Sequence, residues 1–140
     1  MKTLLAVDGS LYTRKMLAYL STHLEMFSDN HQFTLLSVQD PLPPRARAAV
    51  GKEAADAYYL EESAKALEPA LKFLARHHIK AKGMTKIGNA GEVIAKTAAS
   101  GHFDLVIMGS HGHGALRNLV MGSVAAKVLA QCKTPVLLVR

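Results

Sequence analysis

The sequence predicts a single α/β domain, residues 1–140, in which helices cover both faces of a five-stranded parallel sheet. Short apolar runs alternate along the whole chain with segments of helical periodicity, which is the pattern of a parallel sheet with crossover helices. The runs are continuous rather than alternately apolar and polar, as expected for strands that are buried on both faces. A glycine-rich stretch also separates the fourth run from the helix that follows it.

The first strand is predicted over Thr3–Val7 and the second over Gln32–Val38. Ser10 is a suitable N-cap for the helix between them, because its hydroxyl can accept a hydrogen bond from a free backbone N–H. The apolar positions of this helix recur at helical spacing, and they are Met16, Leu17, Leu20, Leu24 and Phe27.

Residues 39–51 are predicted to be irregular, because they contain the prolines Pro41, Pro43 and Pro44. A long helix is expected from about Lys52 towards His78. Its apolar stripe is predicted to comprise Leu60, Ala64, Leu67, Leu71 and Leu74. Pro69 lies inside this helix and is expected to kink or restart it, since proline removes one backbone hydrogen bond.

The second half of the chain repeats the alternation of strand and helix. Strands are predicted over Ile79–Ile87, Phe103–Met108 and Val136–Val139, and helices over Ala90–Ser100 and Val124–Leu129. In sheets of this class, ligands bind beyond the carboxyl ends of the strands where the strand order reverses. We therefore expect a ligand site where the first and fourth strands end.

Composition limits the classes of partner. The chain has 49% hydrophobic and 20% charged residues, and no apolar run approaches the length that a membrane span needs. The single cysteine, Cys132, excludes an internal disulfide framework, so a cytoplasmic setting is the expectation. The formal net charge of +6 favours anionic partners. Nucleic acid and membrane are not expected, because there is no run of Lys and Arg and no Trp.

The segment from Gly109 to Gly114, followed by Gly122 and Ser123, has the character of an anion site. Glycines let the backbone approach a phosphate closely. The free N–H groups at the start of the next helix add donors and a partial positive charge. The segment therefore predicts a nucleotide phosphate site.

The chain resembles universal stress proteins of the UspA type, and the resemblance covers essentially all of it. The stretches that carry it are Val7–Ser10, Val106–Gly112, Gly122–Ala125 and Pro135–Val139. Nucleotide-binding members share a signature of glycine, two residues, glycine, nine residues, then glycine with Ser or Thr. Gly109, Gly112, Gly122 and Ser123 match this signature in full. The resemblance implies a flavodoxin- or Rossmann-like sheet with strand order 3-2-1-4-5, bound ATP, and a homodimer.

The resemblance also implies a role for each contact residue. Asp8 would contact the ribose, with the backbone of Ala6, Val7 and Val38 around the adenine and Met108 and Gly109 near the sugar. The phosphates would be surrounded by Gly112, His113, Gly122, Ser123 and Val124. Related proteins often carry Arg where His113 stands. Any Mg²⁺ or Mn²⁺ would be held mostly by the phosphates, so no metal ligand and no catalytic residue of the protein is assigned.

Several of these residues have a structural alternative. Asp8 either holds a ribose hydroxyl, for which a carboxylate is a suitable acceptor, or caps the first helix. Ser123 either contacts a phosphate, or acts only as an N-cap, or does both. Gly109 and Gly112 are otherwise plain turn residues.

The basic and imidazole groups also leave alternatives open. His111 and His113 are expected in phosphate contact or exposed on the loop, rather than as a metal pair, because no Cys or carboxylate accompanies them in the loop. Arg45, Arg47 and Lys52 either fold over a triphosphate or belong to a solvated loop.

The predicted function is that of an ATP-binding regulator or sensor in stress responses. The alternative is a slow ATPase, or another nucleotide-processing enzyme, that uses the same site. The chain lacks the G-x-x-x-x-G-K-[ST] and G-x-S-x-G motifs, so an enzymatic role is not the primary expectation. A third hypothesis is a structural dimer that has lost nucleotide. In each case, a homodimer is expected through residues 136–139, because an exposed apolar edge strand favours pairing.

Overall fold

A computed structural model describes residues 1–114 and 120–140. Within these residues, five strands form one sheet of order β3-β2-β1-β4-β5, and every neighbouring pair is parallel. The predicted fold class and strand order are therefore confirmed. The elements in chain order are β1 (Lys2–Ala6), α1 (Leu11–Thr22), a 3₁₀ turn (Leu24–Met26), β2 (Gln32–Gln39), α2 (Pro44–Arg76), β3 (Ala81–Ile87), α3 (Ala90–Ser100), β4 (Leu105–Gly109), α4 (Ser123–Gln131) and β5 (Val136–Val139).

The central strands are buried on both faces, because helices cover each side of the sheet. Consecutive side chains of a strand point to opposite faces, so each strand contributes to both cores. Leu5 of β1 packs in a cluster with residues of α1 and α2, which include Met16, Leu20 and Leu74. Its neighbour Leu4 packs on the opposite face with residues of α3 and α4, which include Ile94, Ala98 and Val128. Continuous apolar strands thus build two cores, one on each side of the sheet.

The start of α2 corrects the sequence prediction. The helix begins at Pro44, because a proline fits the first turn, where its missing N–H would have no helical partner. Residues 44–50, predicted to be irregular, are therefore helical. The break lies at Gly51, whose φ of 82° and ψ of 169° are not helical. The backbone remains helical at Pro69, so the restart predicted there is wrong.

The buried face of α2 matches the predicted apolar stripe only in part. Leu74 is buried, and Leu67 and Leu71 pack against the core, whereas Leu60 is 69% exposed. The buried positions are Ala55, Tyr59, Ser63, Ala66, Ala70 and Leu74. Small side chains on this face let the helix lie close to the chain beneath it. A Cβ placed on Gly9 would lie 3.6 Å from the Cα of Ala66. No helix in the described ranges is long and apolar enough to cross a bilayer.

The first helix is shorter than predicted, although its start is as expected. Ser10 is the N-cap, and its hydroxyl accepts from the N–H of Thr13. The helix ends at Thr22, and Leu24 falls in the following 3₁₀ turn. Phe27, expected on the helix, instead packs its ring against neighbouring rings at the amino edge of the sheet.

Candidate functional site

A cleft of about 740 Å³ opens beyond the carboxyl ends of β1, β2 and β4. This volume is within the range of about 300–1,000 Å³ that is usual for small-molecule sites. Its lining includes every residue for which the sequence analysis expected a ligand contact: Ala6, Val7, Asp8, Val38, Met108, Gly109, Gly112, His113, Gly122, Ser123 and Val124. The topology therefore brings together residues that are more than a hundred positions apart in the sequence.

Asp8, just after β1, is held firmly by one of its two carboxylate oxygens. Oδ1 accepts hydrogen bonds from the Ser10 N–H at 2.9 Å and from the Thr13 hydroxyl at 2.8 Å. The other oxygen, Oδ2, faces Gly112, where an added Cβ would lie only 2.7 Å away. Among the described residues, Oδ2 has no hydrogen-bond partner, so it is available to a ligand. Asp8 does not cap α1, because Ser10 occupies that position.

Gly109 and Gly122 at the cleft are required by close packing, and each one meets a different neighbour. At Gly109, a Cβ would lie 2.6 Å from the Cβ of Tyr12. The absence of a side chain at Gly109 therefore lets α1 pack closely against the end of β4. At Gly122, a Cβ would lie 3.1 Å from the Cα of His111 and 3.3 Å from the carbonyl oxygen of Ser110. The Gly122 N–H also donates to that carbonyl at 2.7 Å, which joins the end of β4 to the start of α4.

The start of α4 supplies hydrogen-bond donors to the cleft. Gly122 is the N-cap and makes no side-chain hydrogen bond, while Ser123 is the first helical residue. Ser123 therefore does not act as the cap that the sequence left open. The N–H groups of the first helical turn have no acceptor within the helix, and their residues, Ser123, Val124 and Ala125, line the cleft. This arrangement is suited to an anion.

The two imidazoles of the loop make contacts within the protein. The Nε2 of His113 lies 2.6 Å from the Asp8 carbonyl oxygen. A carbonyl oxygen can only accept a hydrogen bond, so the Nε2–H is the donor. This bond fastens the glycine loop to the end of β1. His111 bonds the Ser110 hydroxyl through Nδ1 at 2.8 Å, and its ring lies 4.8 Å from that of Tyr12. The part of the chain that the structure describes contains no cluster of three or more metal-ligating side chains.

Helix α2 contributes cleft residues that the sequence analysis missed. Glu62 and Lys65 line the cleft, as do Gln39 and Asp40 after β2. Helix α2 meets the end of β1 at the contact between Gly9 and Ala66, which joins residues far apart in the sequence and leaves no local pattern. By contrast, the cationic residues Arg45, Arg47 and Lys52 are exposed and do not line the cleft.

The strand order and the position of the cleft define a doubly wound, flavodoxin-like α/β protein. The chain matches the model of the universal stress protein family over residues 1–140, and it belongs to this family. It is similar to universal stress protein Slr1230 of Synechocystis, with 32% identity over 99% of this chain and 42% of that protein. It also aligns over 57% of its length, at 35% identity, with 49% of universal stress protein MJ0577 of Methanocaldococcus jannaschii. The alignments thus span less than half of these relatives.

Solved structures share the fold over nearly the whole chain. The structure of MJ0577 superposes with a TM-score of 0.81 at 27% identity, covering 99% of this chain and 94% of that one. The universal stress protein from Archaeoglobus fulgidus in complex with dAMP gives 0.72 at 16% identity, covering 100% and 98%. Other family members were solved with cAMP or with AMP bound. Adenine nucleotides are thus ligands of several proteins with this fold.

Proposed function

We propose that this chain binds ATP, or another adenine nucleotide, in the cleft, and that it acts as a nucleotide-dependent regulator or sensor in stress responses. One observation carries the proposal. The Oδ2 of Asp8 and the N–H groups at the start of α4 face one cleft of nucleotide size, and they have no hydrogen-bond partner among the described residues. An acceptor for sugar hydroxyls beside donors for phosphate is the pair of groups that a nucleotide requires.

The proposed contacts follow the order of the elements around the cleft. The backbone at Ala6, Val7 and Val38 would contact the adenine, and Asp8 would accept from the ribose hydroxyls. Met108 and Gly109 would lie by the sugar. The phosphates would be held by backbone N–H groups and by the Ser123 hydroxyl, together with Gly112, His113, Gly122 and Val124. A Mg²⁺ or Mn²⁺ bound to the phosphates would supply charge neutralisation.

The family supports an adenine nucleotide and leaves its phosphate number to experiment. The relatives solved with cAMP, AMP or dAMP carry ligands with a single phosphate group. The full match of Gly109, Gly112, Gly122 and Ser123 to the glycine signature supports ATP. We therefore propose ATP as the principal ligand, in a cytoplasmic setting where this nucleotide is abundant.

The first experiment is to identify the nucleotide that the purified protein carries. The protein is denatured, the supernatant is analysed by ion-exchange chromatography, and binding of added ATP is then measured by calorimetry. Gly122→Ala should weaken ATP binding at least ten-fold, because its Cβ would displace the backbone of the loop. The matched control is Gly83→Ala in β3, where the added Cβ makes only an ordinary 3.4 Å contact.

Each outcome separates the candidate functions. Co-purified ATP that is absent from Gly122→Ala, and present in Gly83→Ala, supports the proposed regulator. ADP in its place would favour the alternative of slow hydrolysis at the same site. If the wild-type protein carries no nucleotide and added ATP gives no binding heat, the proposed function is wrong and the structural dimer becomes the better hypothesis.

We also propose that the chain forms a homodimer through β5. This strand pairs only with β4, so its outer edge is free among the described residues. Val136, Leu137 and Leu138 are each partly exposed there. Antiparallel pairing of two such edges would satisfy their backbone groups and cover the apolar side chains. Light scattering at micromolar concentration should give twice the monomer mass, and a monomer mass would contradict the proposal.

A further inference from the structure

Lys65 of α2 lies where the helix passes the end of β1. A Cβ on Gly9 would lie 3.8 Å from the carbonyl oxygen of Lys65, so the two backbones are almost in contact. Gly9 directly follows Asp8, whose Oδ2 faces Gly112. The backbone of Lys65 therefore lies beside the end of β1, and the residue lines the cleft.

The ammonium group of Lys65 is paired with a carboxylate of the same cleft. Its Nζ lies 2.7 Å from Oε1 of Glu62, and the two side chains are 64% and 30% exposed. The hydrogen bond and the charge of Glu62 raise the pKa of Lys65 above its usual value, so the group remains charged. An exposed pair of this kind is weak, and a stronger anion can replace the carboxylate.

Among the described residues that line the cleft, carboxylates outnumber ammonium and guanidinium groups, although the proposed ligand carries several phosphates. Among the described lining residues, the carboxylates are Asp8, Asp40 and Glu62, and Lys65 is the one Lys or Arg side chain. The described lining residues therefore do not share the chain's positive net charge of +6. Each phosphate beyond the first would bring further negative charge towards these carboxylates.

We propose that Lys65 is a specificity-determining residue, which leaves Glu62 to contact the outer phosphates and thereby favours ATP and ADP over AMP. This inference rests on the proposed nucleotide function. The phosphate next to the sugar is held by backbone groups of the glycine loop and α4, so its binding does not need Lys65. Glu62 acts in opposition, because its carboxylate competes for Lys65 and repels the phosphates.

The test compares the affinities of ATP, ADP and AMP by calorimetry in wild type, Lys65→Gln, Glu62→Gln and Lys72→Gln. Lys65→Gln should weaken ATP binding about five-fold, the size of one unit-charge contact in water, and leave AMP within about two-fold. Glu62→Gln should strengthen ATP binding and leave AMP unchanged. Lys72 is the matched control, because it is an exposed lysine of the same helix outside the cleft.

Salt provides a second readout of the same contact. The difference between wild type and Lys65→Gln should shrink as the ionic strength approaches about 1 M, where the screening length falls to about 3 Å. A loss of affinity in Lys65→Gln that is equal for ATP and AMP would overturn the inference, as would no loss for ATP, and both leave the proposed function standing. Failure of the wild-type protein to bind all three nucleotides would overturn the proposed function together with this inference.

Discussion

The strands of the sheet all begin at one side, the amino edge, and all end at the other, the carboxyl edge. These two edges differ in how their polar groups are satisfied. Among the described residues of the carboxyl edge, Asp8 has one carboxylate oxygen without a donor, and the first turn of α4 has N–H groups without acceptors. At the amino edge, the ring of His31 lies 4.6 Å from those of Phe27 and Phe33, and the Lys2 N–H donates to Asp104 at 2.7 Å. One edge is therefore prepared for a ligand, and the other is closed by internal contacts.

The direction of the chain produces this difference. In a parallel sheet with crossover helices, every helix begins at the carboxyl edge, where its free N–H groups and positive dipole end are directed at a ligand. The helices end at the amino edge, where the chain turns back into a strand. Substitutions at the amino edge should therefore change stability, whereas substitutions at the carboxyl edge should change affinity.

Leu74→Ala near the amino edge should give the largest change in stability. Leu74 is fully buried, and it packs in the core cluster that contains Phe33 and Ile79. Truncation of a buried leucine leaves a cavity and costs about 2–5 kcal/mol. Chemical denaturation should show this loss, while calorimetry below the midpoint of unfolding should give an unchanged ATP affinity. An affinity that falls in parallel with stability would contradict the separation of the two edges.

Asp8→Asn at the carboxyl edge should have the opposite effect, a loss of nucleotide affinity with little change in stability. The asparagine oxygen can still accept from Ser10 and Thr13, so the free energy of unfolding should change by less than about 1 kcal/mol. The loss of the charged acceptor should weaken nucleotide binding about ten-fold, because hydrogen bonds to charged groups contribute about 1.5–3 kcal/mol.

Asp29→Asn, an exposed position in the turn before β2, is the control for this substitution and should leave the affinity unchanged. If Asp8→Asn instead destabilises the protein and binds ATP normally, the carboxylate serves the β1–α1 turn alone.

The sequence was sufficient for the parts of the molecule that local patterns determine. The positions of the strands, the N-cap at Ser10 and helix α3 follow from hydrophobic periodicity and capping, which act within a few residues. The strand order was implied by the resemblance to universal stress proteins, and the sheet confirms it.

Periodicity located most of the buried side of α2, since Leu67, Leu71 and Leu74 pack in or against the core, but it misplaced Leu60, which is exposed. The contacts of Gly9 with Ala66 and Lys65 join residues far apart in the sequence. The positions of Glu62 and Lys65 at the cleft therefore could not be predicted from local patterns.

The glycine signature shows a related limit. Its four positions line the cleft, but the neighbours that crowd the backbone differ from one glycine to the next. Gly109 is required because Tyr12 packs against it, whereas Gly122 is required because the loop closes on Ser110 and His111. The motif therefore indicates where the backbone is crowded, and the structure identifies the neighbouring residues that crowd it.

His31 at the amino edge should give the smallest effect, a dependence of stability on pH. Its Nε2 is hydrogen-bonded to the Thr3 hydroxyl, while its Nδ1 is buried without a partner among the described residues. Burial, with a contribution from the Met1 ammonium, lowers the pKa of His31, although Asp104 opposes this shift. A second ring proton would have no acceptor, so the folded protein favours the neutral ring.

The sign of the effect follows from proton binding. The unfolded chain takes up a proton near the ordinary histidine pKa of 6.5, whereas the folded chain takes it up only at lower pH. The stabilisation is therefore complete above pH 6.5 and is lost as the pH falls through the folded pKa. Unfolding in urea, measured from mildly basic to mildly acidic pH, should show this loss in wild type and a flatter profile in His31→Gln. Parallel profiles would mean that the closed edge tolerates a charged ring, and affinity for ATP should not differ between the two proteins at any pH.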